Sequence, residues 1–106
     1  MRDIPVSNHV RSQVSQIPAE ERRRLVERCI EPHPHKAGRS EFVLGETGAA
    51  VWSIIGYLPA VSGDIEQVAR DCDVSTDAVI AAISYYLDHE AVINERLLQN
   101  RGTDEQ

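Results

Sequence analysis

The sequence predicts a mainly α-helical chain with a trihelical, helix-turn-helix-like core, a short β-strand or hairpin and an N-terminal helical extension. Three observations lead there. Residues 64–87 carry apolar side chains at helical spacing on two consecutive segments, split by the four-residue break Cys72-Asp73-Val74-Ser75. Residues 39–44 alternate instead, and Gly45 to Gly48 then supply a turn. Finally, 106 residues at 42% hydrophobic and 26% charged make one domain's worth of ordinary globular chain.

The elements follow in order. Val6, Val10, Val14 and Ile17 line one face of a short polar helix with Ser7 as its cap, a segment that orders only against something else. A firmer helix starts with Pro18 at its first position and Glu20 and Glu21 in the first turn. It carries Leu25, Val26, Cys29 and Ile30 and stops near Glu31, because Pro32 and Pro34 follow. Residues 31–38 read as an extended linker, and 39–44 as a strand. Residues 49–58 form a largely buried helix ended by Pro59, with Trp52 as the largest single contributor to the core. Asp64 caps the next helix, whose inner residues are Ile65, Val68, Ala69 and Cys72. Asp73 takes the left-handed position in the turn, where glycine is usual. The following helix, Thr76 to about Leu87, faces inward with Val79, Ala82, Ile83 and Tyr86. A last helix runs from Glu90 to Asn100 behind a break at Asp88-His89, and residues 102–106 are a frayed tail. The organisation is then 1–36 as helical extension and linker, 37–100 as the helix-turn-helix-like (homeodomain-like) domain, and 101–106 as tail.

Charge decides between partners. Residues 1–39 hold eight Lys or Arg against five Asp or Glu, whereas residues 64–95 hold eight acids and one base, Arg70. The outward face of the second motif helix should present Thr76, Asp77, Ile80, Ala81 and Ser84, with no Arg, Lys, Asn or Gln to read base edges. Ile80, Ala81 and Ser84 therefore point to a protein contact. Arg22, Arg23, Arg24 and Arg28 form the one basic cluster, offset by Glu20, Glu21 and Glu27 at helical spacing. They are the phosphate-contacting candidates of an alternative, DNA-binding reading.

Chemistry is harder to find. His33 and His35 with Cys29 and Cys72 lack the four-ligand spacing of a zinc site, so no metal or other cofactor is expected. No glycine-framed nucleophile, phosphate loop or nucleotide fingerprint occurs, and an enzyme is not expected. Glu46 and Asp64 bracket the longest apolar run, which falls short of a membrane helix. Met1 to Pro5 lack the apolar stretch of a secretory signal, and two cysteines suit a reducing compartment, so a cytoplasmic protein is expected.

Residues 31–100 carry a resemblance. Gly48-Ala49-Ala50-Val51-Trp52 stands as a Gly-x-x-x-Pro-Val-Trp-like helix entry, and Gly56-Tyr57-Leu58 follows. After the two-helix run come Ala82-Ile83-Ser84-Tyr85-Tyr86-Leu87-Asp88-His89 and Ile93-Asn94-Glu95-Arg96-Leu97-Leu98-Gln99-Asn100. In these features the chain resembles the bacterial family called domain of unknown function 433, antitoxin-like partners of PIN-type toxins. Residues 1–30 lie outside the match, and the turn Gly45-Glu46-Thr47-Gly48 is acidic where the family has a basic, proline-bearing loop. The resemblance implies a non-enzymatic regulator that forms a homodimer and neutralises a PIN-type ribonuclease toxin. It implies further that an arginine, here Arg96 or Arg101, enters the toxin's carboxylate cluster. A strand between Ile30 and Leu44 would pair with its copy across the dimer. The expectation is thus a toxin-antitoxin protein acting by protein–protein interaction. The alternative is a transcriptional autoregulator, and a third reading is a helical scaffold with no toxin partner.

Overall fold

The structure, a computed structural model, describes residues 5–104, with side chains for residues 5–100. Helix α1 spans Asn8–Ser15, and the Ser7 hydroxyl accepts from the Val10 N–H at 3.4 Å, as the sequence suggests. Val6, Val10 and Val14 are buried. Helix α2 spans Ala19–Cys29. Pro18 stands just outside it rather than at its first position, with its carbonyl accepting from the Arg22 N–H. The chain then extends into β1, Ile30–Glu31, which pairs antiparallel with β2, Val43–Leu44, in the register Ile30 to Leu44 and Glu31 to Val43. The expected strand over 39–44 is thus cut to two residues. Gly38 at φ +106° turns the backbone, and Arg39–Glu41 close a 3-10 turn onto its carbonyl. The strands satisfy each other inside one chain, and Val43 bridges Ala50 on the other side of β2. Pairing of this strand with a copy is therefore not what occupies β2.

Helix α3 spans Val51–Tyr57 and tightens into a 3-10 turn, Leu58–Val61. The α-helix ends before Pro59, as expected, and Pro59 falls in the first turn of the 3-10 segment, where its missing N–H is not needed. Ser62 at φ 57° and Gly63 at φ 75° then redirect the backbone into α4, Ile65–Cys72. Asp64 caps α4 by accepting from the Gln67 N–H at 3.1 Å, and Asp73 closes it in the left-handed region at φ 60°. Helix α5 spans Thr76–Asp88, with Ser75 as its cap, and α6 spans Glu90–Asp104 after His89 breaks the backbone. The last helix thus continues through 102–104, where a frayed tail was expected; residues 105–106 lie outside the described residues.

The described chain is therefore mainly helical, with six α-helices and one two-stranded antiparallel ladder. Helix α5 is its axis. Ala78, Val79 and residues 81–86 are all buried, so the helix is enclosed on every side for most of its length. The expected inward residues Val79, Ala82, Ile83 and Tyr86 are there, and Tyr86 donates to Asn94 Oδ1 at 2.9 Å. Tyr86, not Trp52, is the largest fully buried side chain; Trp52 is half-buried. No helix among the described residues is long and apolar enough to cross a membrane.

Candidate functional site

The outward face expected for α5 is mostly an inner one. Asp77, Ala81 and Ser84 lie one above another at helical spacing, and Asp77 pairs with Arg28 of α2 at 3.0 Å. That contact places α2 across the face, and α2 packs more extensively on α5 than on any other element. Ala81 is fully buried and Ser84 is 2% exposed, so neither is available to a partner as the structure stands. Their small side chains let α2 come close while it buries Leu25 and Cys29. The Ser84 hydroxyl has no hydrogen-bond partner among the described residues. Ile80, a third of a turn away, is half-buried and keeps an open side. It reaches a cleft of about 470 Å³ shared by α1, the start of α4 and the start of α5.

Arg96 is engaged rather than free. Its Nε donates to Glu41 at 2.9 Å, and its guanidinium lies 4.3 Å from the centre of the Trp52 ring. The two charged side chains are only 20% and 16% exposed. Glu41, Trp52 and Arg96 stand far apart in sequence, so no local pattern announces this cluster. The side chain of Arg101 lies outside the described residues.

The four arginines of α2 also have partners inside the chain. Arg22 donates to the Ile17 carbonyl at 3.1 Å, Arg24 lies 3.6 Å from Glu20, and Arg28 holds Asp77. Arg23 bonds to Glu20 and Glu27, and the Glu20 contact first raises its pKa above the ordinary arginine value. The compensation anticipated from the spacing of Glu20 and Glu27 is what forms; Glu21 is exposed and joins no ion pair in this cluster.

On the acidic side, the Glu46 carboxylate accepts from the N–H of Ser75 at 3.0 Å and from its hydroxyl. The hydroxyl contact, then the backbone one, holds Glu46 below the usual carboxylate range. The acidic turn of residues 45–48 is thereby tied to the start of α5. Asp71 is lowered first by the Tyr57 hydroxyl and then by Gln67, and Tyr57 is raised in turn. Burial pushes both the Cys29 and Cys72 thiols up, away from the reactive thiolate form. His33 spends its Nδ1 on the backbone N–H groups of His35 and Lys36, at 2.9 and 3.1 Å. Among the described residues no group of three or more His, Cys, Asp or Glu side chains is placed to hold a metal ion. Comparison with protein-family models, with curated proteins and with solved structures returns no match to this chain.

Proposed function

We propose that the chain is a non-enzymatic, antitoxin-like module that binds and neutralises a PIN-type ribonuclease and associates with a copy of itself. In this reading α3, α4 and α5 act as a homeodomain-like unit whose second motif helix has been turned into a structural axis. One observation weighs against a nucleic-acid role for this helix: α2 covers the α5 face that would enter a duplex groove, burying Ala81 and Ser84, which also withdraws those two from a protein partner and leaves Ile80 as the reachable one of the three. The internal partners of Arg22, Arg23, Arg24 and Arg28 weigh the same way, since phosphate contacts would have to displace them. The class of partner comes from the resemblance of residues 31–100. Insertion of Arg96 into a toxin's carboxylate cluster would require it to leave Glu41 and Trp52; Arg101 is the alternative guanidinium. Co-expression with a small PIN-type nuclease encoded beside this chain should relieve that nuclease's toxicity, and Arg101→Ala should weaken the relief. No relief with both proteins soluble overturns the proposal. A gel shift with the upstream DNA, lost on Arg23→Ala and falling steeply with salt, would establish the autoregulator in its place.

A further inference from the structure

The cleft beside Ile80 is lined mainly by polar residues from three elements, with Ile65 and Ile80 as its large apolar members. His9 and Gln13 of α1 line it together with Ser62 of the preceding turn, the cap residue Asp64, and Ile65 and Glu66 at the start of α4. Its wall depends on Gly63: a Cβ there would meet Val10 Cγ2 at 2.6 Å, so glycine lets α1 close against the turn. Two carboxylates reach the cleft, and among the described residues no Lys or Arg lines it. Glu66 has no hydrogen bond or ion pair with any described residue, and Arg70, one turn along, is directed to Gln67 at 3.0 Å. Asp64 uses Oδ1 on the Gln67 N–H and keeps its other oxygen. The cap and the Glu66 charge together oppose an anion at the start of α4, which an open helix terminus would otherwise attract.

We propose that this cleft receives one arginine or lysine side chain of a protein partner, with its aliphatic stem on Ile65 and Ile80 and its charge beside Glu66 and Asp64. Long cationic side chains bury their stems on apolar surface while the head stays among polar groups, and Ile65 and Ile80 beside Asp64 and Glu66 offer both. The eight-to-one excess of acids over bases across residues 64–95 favours the same partner charge. The inference rests on the protein-binding reading and names the chemistry that such a partner brings.

The test titrates the full chain with a short glycine-serine peptide carrying a central arginine, then with its citrulline counterpart, then with inorganic phosphate, following backbone amide resonances. The arginine peptide should give saturable shifts at Ile65, Glu66, Thr76 and Ile80. Citrulline, or Glu66→Gln in the protein, should weaken binding about fivefold. Gln13→Lys, at an exposed lining position, should weaken it similarly while the remaining spectrum stays folded. Equal binding of citrulline, stronger shifts with phosphate, or no saturable shift at low salt overturns the cleft assignment. If a whole partner protein binds the native chain and Glu66→Gln equally, the cleft inference fails and the protein-binding reading stands. If the peptide seats in the cleft but no nuclease is neutralised, the reverse holds.

Discussion

The Arg96 guanidinium donates to Glu41 and stacks on Trp52, and both charged groups are about four-fifths covered. That burial separates it from the surface ion pairs of α2, which contribute between nothing and about 1 kcal/mol. Arg96→Ala should cost about 2 kcal/mol in urea unfolding, because it removes the stacked cation and leaves Glu41 without its main partner. Arg96→Lys should recover part of this, since an ammonium keeps the charge but not the planar stack. A loss below about 0.5 kcal/mol would mean the pair adds nothing beyond exposed ones. Gly63 and Gly48 allow a second comparison at this scale. Both have positive φ, 75° and 79°, but a Cβ at Gly48 meets nothing within 4 Å, whereas one at Gly63 strikes Val10. Gly48→Ala should therefore cost about 1 kcal/mol for the backbone conformation alone. Gly63→Ala should cost clearly more, and equal losses would show that α1 yields freely.

At the scale of elements, α5 depends on a residue outside its own helix. Ser75 caps the helix by accepting from the Ala78 N–H, and Glu46 in turn accepts from Ser75. A carboxyl held low in the folded chain contributes stability that is fully present above its unfolded value and is lost as pH falls through the folded value. Glu46→Gln should thus lower the urea midpoint at neutral pH, and the gap from the native chain should close as the pH is taken down through and below the ordinary carboxylate range. A gap unchanged over that span of pH would contradict the Ser75 contact. Asp71, lowered by Tyr57 and Gln67, keeps a background acid sensitivity in both proteins. What the sequence reveals about elements follows the same division between local and distant causes. Ser7, Asp64 and Asp73 act through backbone within a few residues, so their caps and the left-handed turn are readable directly. The pairing of β1 with β2 and the covering of Ala81 and Ser84 by α2 depend on segments remote in sequence. One local signal for the second did exist: residues 78–83, Ala-Val-Ile-Ala-Ala-Ile, are apolar on every side, the mark of an enclosed helix rather than one with a free face.

For the whole molecule, a single buried cluster runs from Val6 to Ile93, so α1 and α2 share their core with the segment after residue 37. A sequence reading sets the first 36 residues apart because their apolar positions are sparse and their charge differs. Spacing of Val6, Val10 and Val14 shows that a face exists; it does not show what covers it. The covering comes partly from α5, and Arg11 adds a 2.7 Å ion pair to Glu90 on α6. Removing residues 1–17 would expose the surface beneath three valines that are at most 1% accessible. At about 1.5 kcal/mol for each, the loss is about 4.5 kcal/mol as an upper value, and the partly exposed ion pair adds less than about 1 kcal/mol. Against a total stability of about 5–15 kcal/mol for a domain, that is a large fraction. The truncated chain should therefore unfold in urea at a much lower midpoint, and the full chain should melt in one transition seen alike by Trp52 fluorescence and by helical circular dichroism. A truncated chain with the full-length midpoint, or a full chain with two transitions, would make α1 an appendage and leave the cleft beside Ile80 without its third wall.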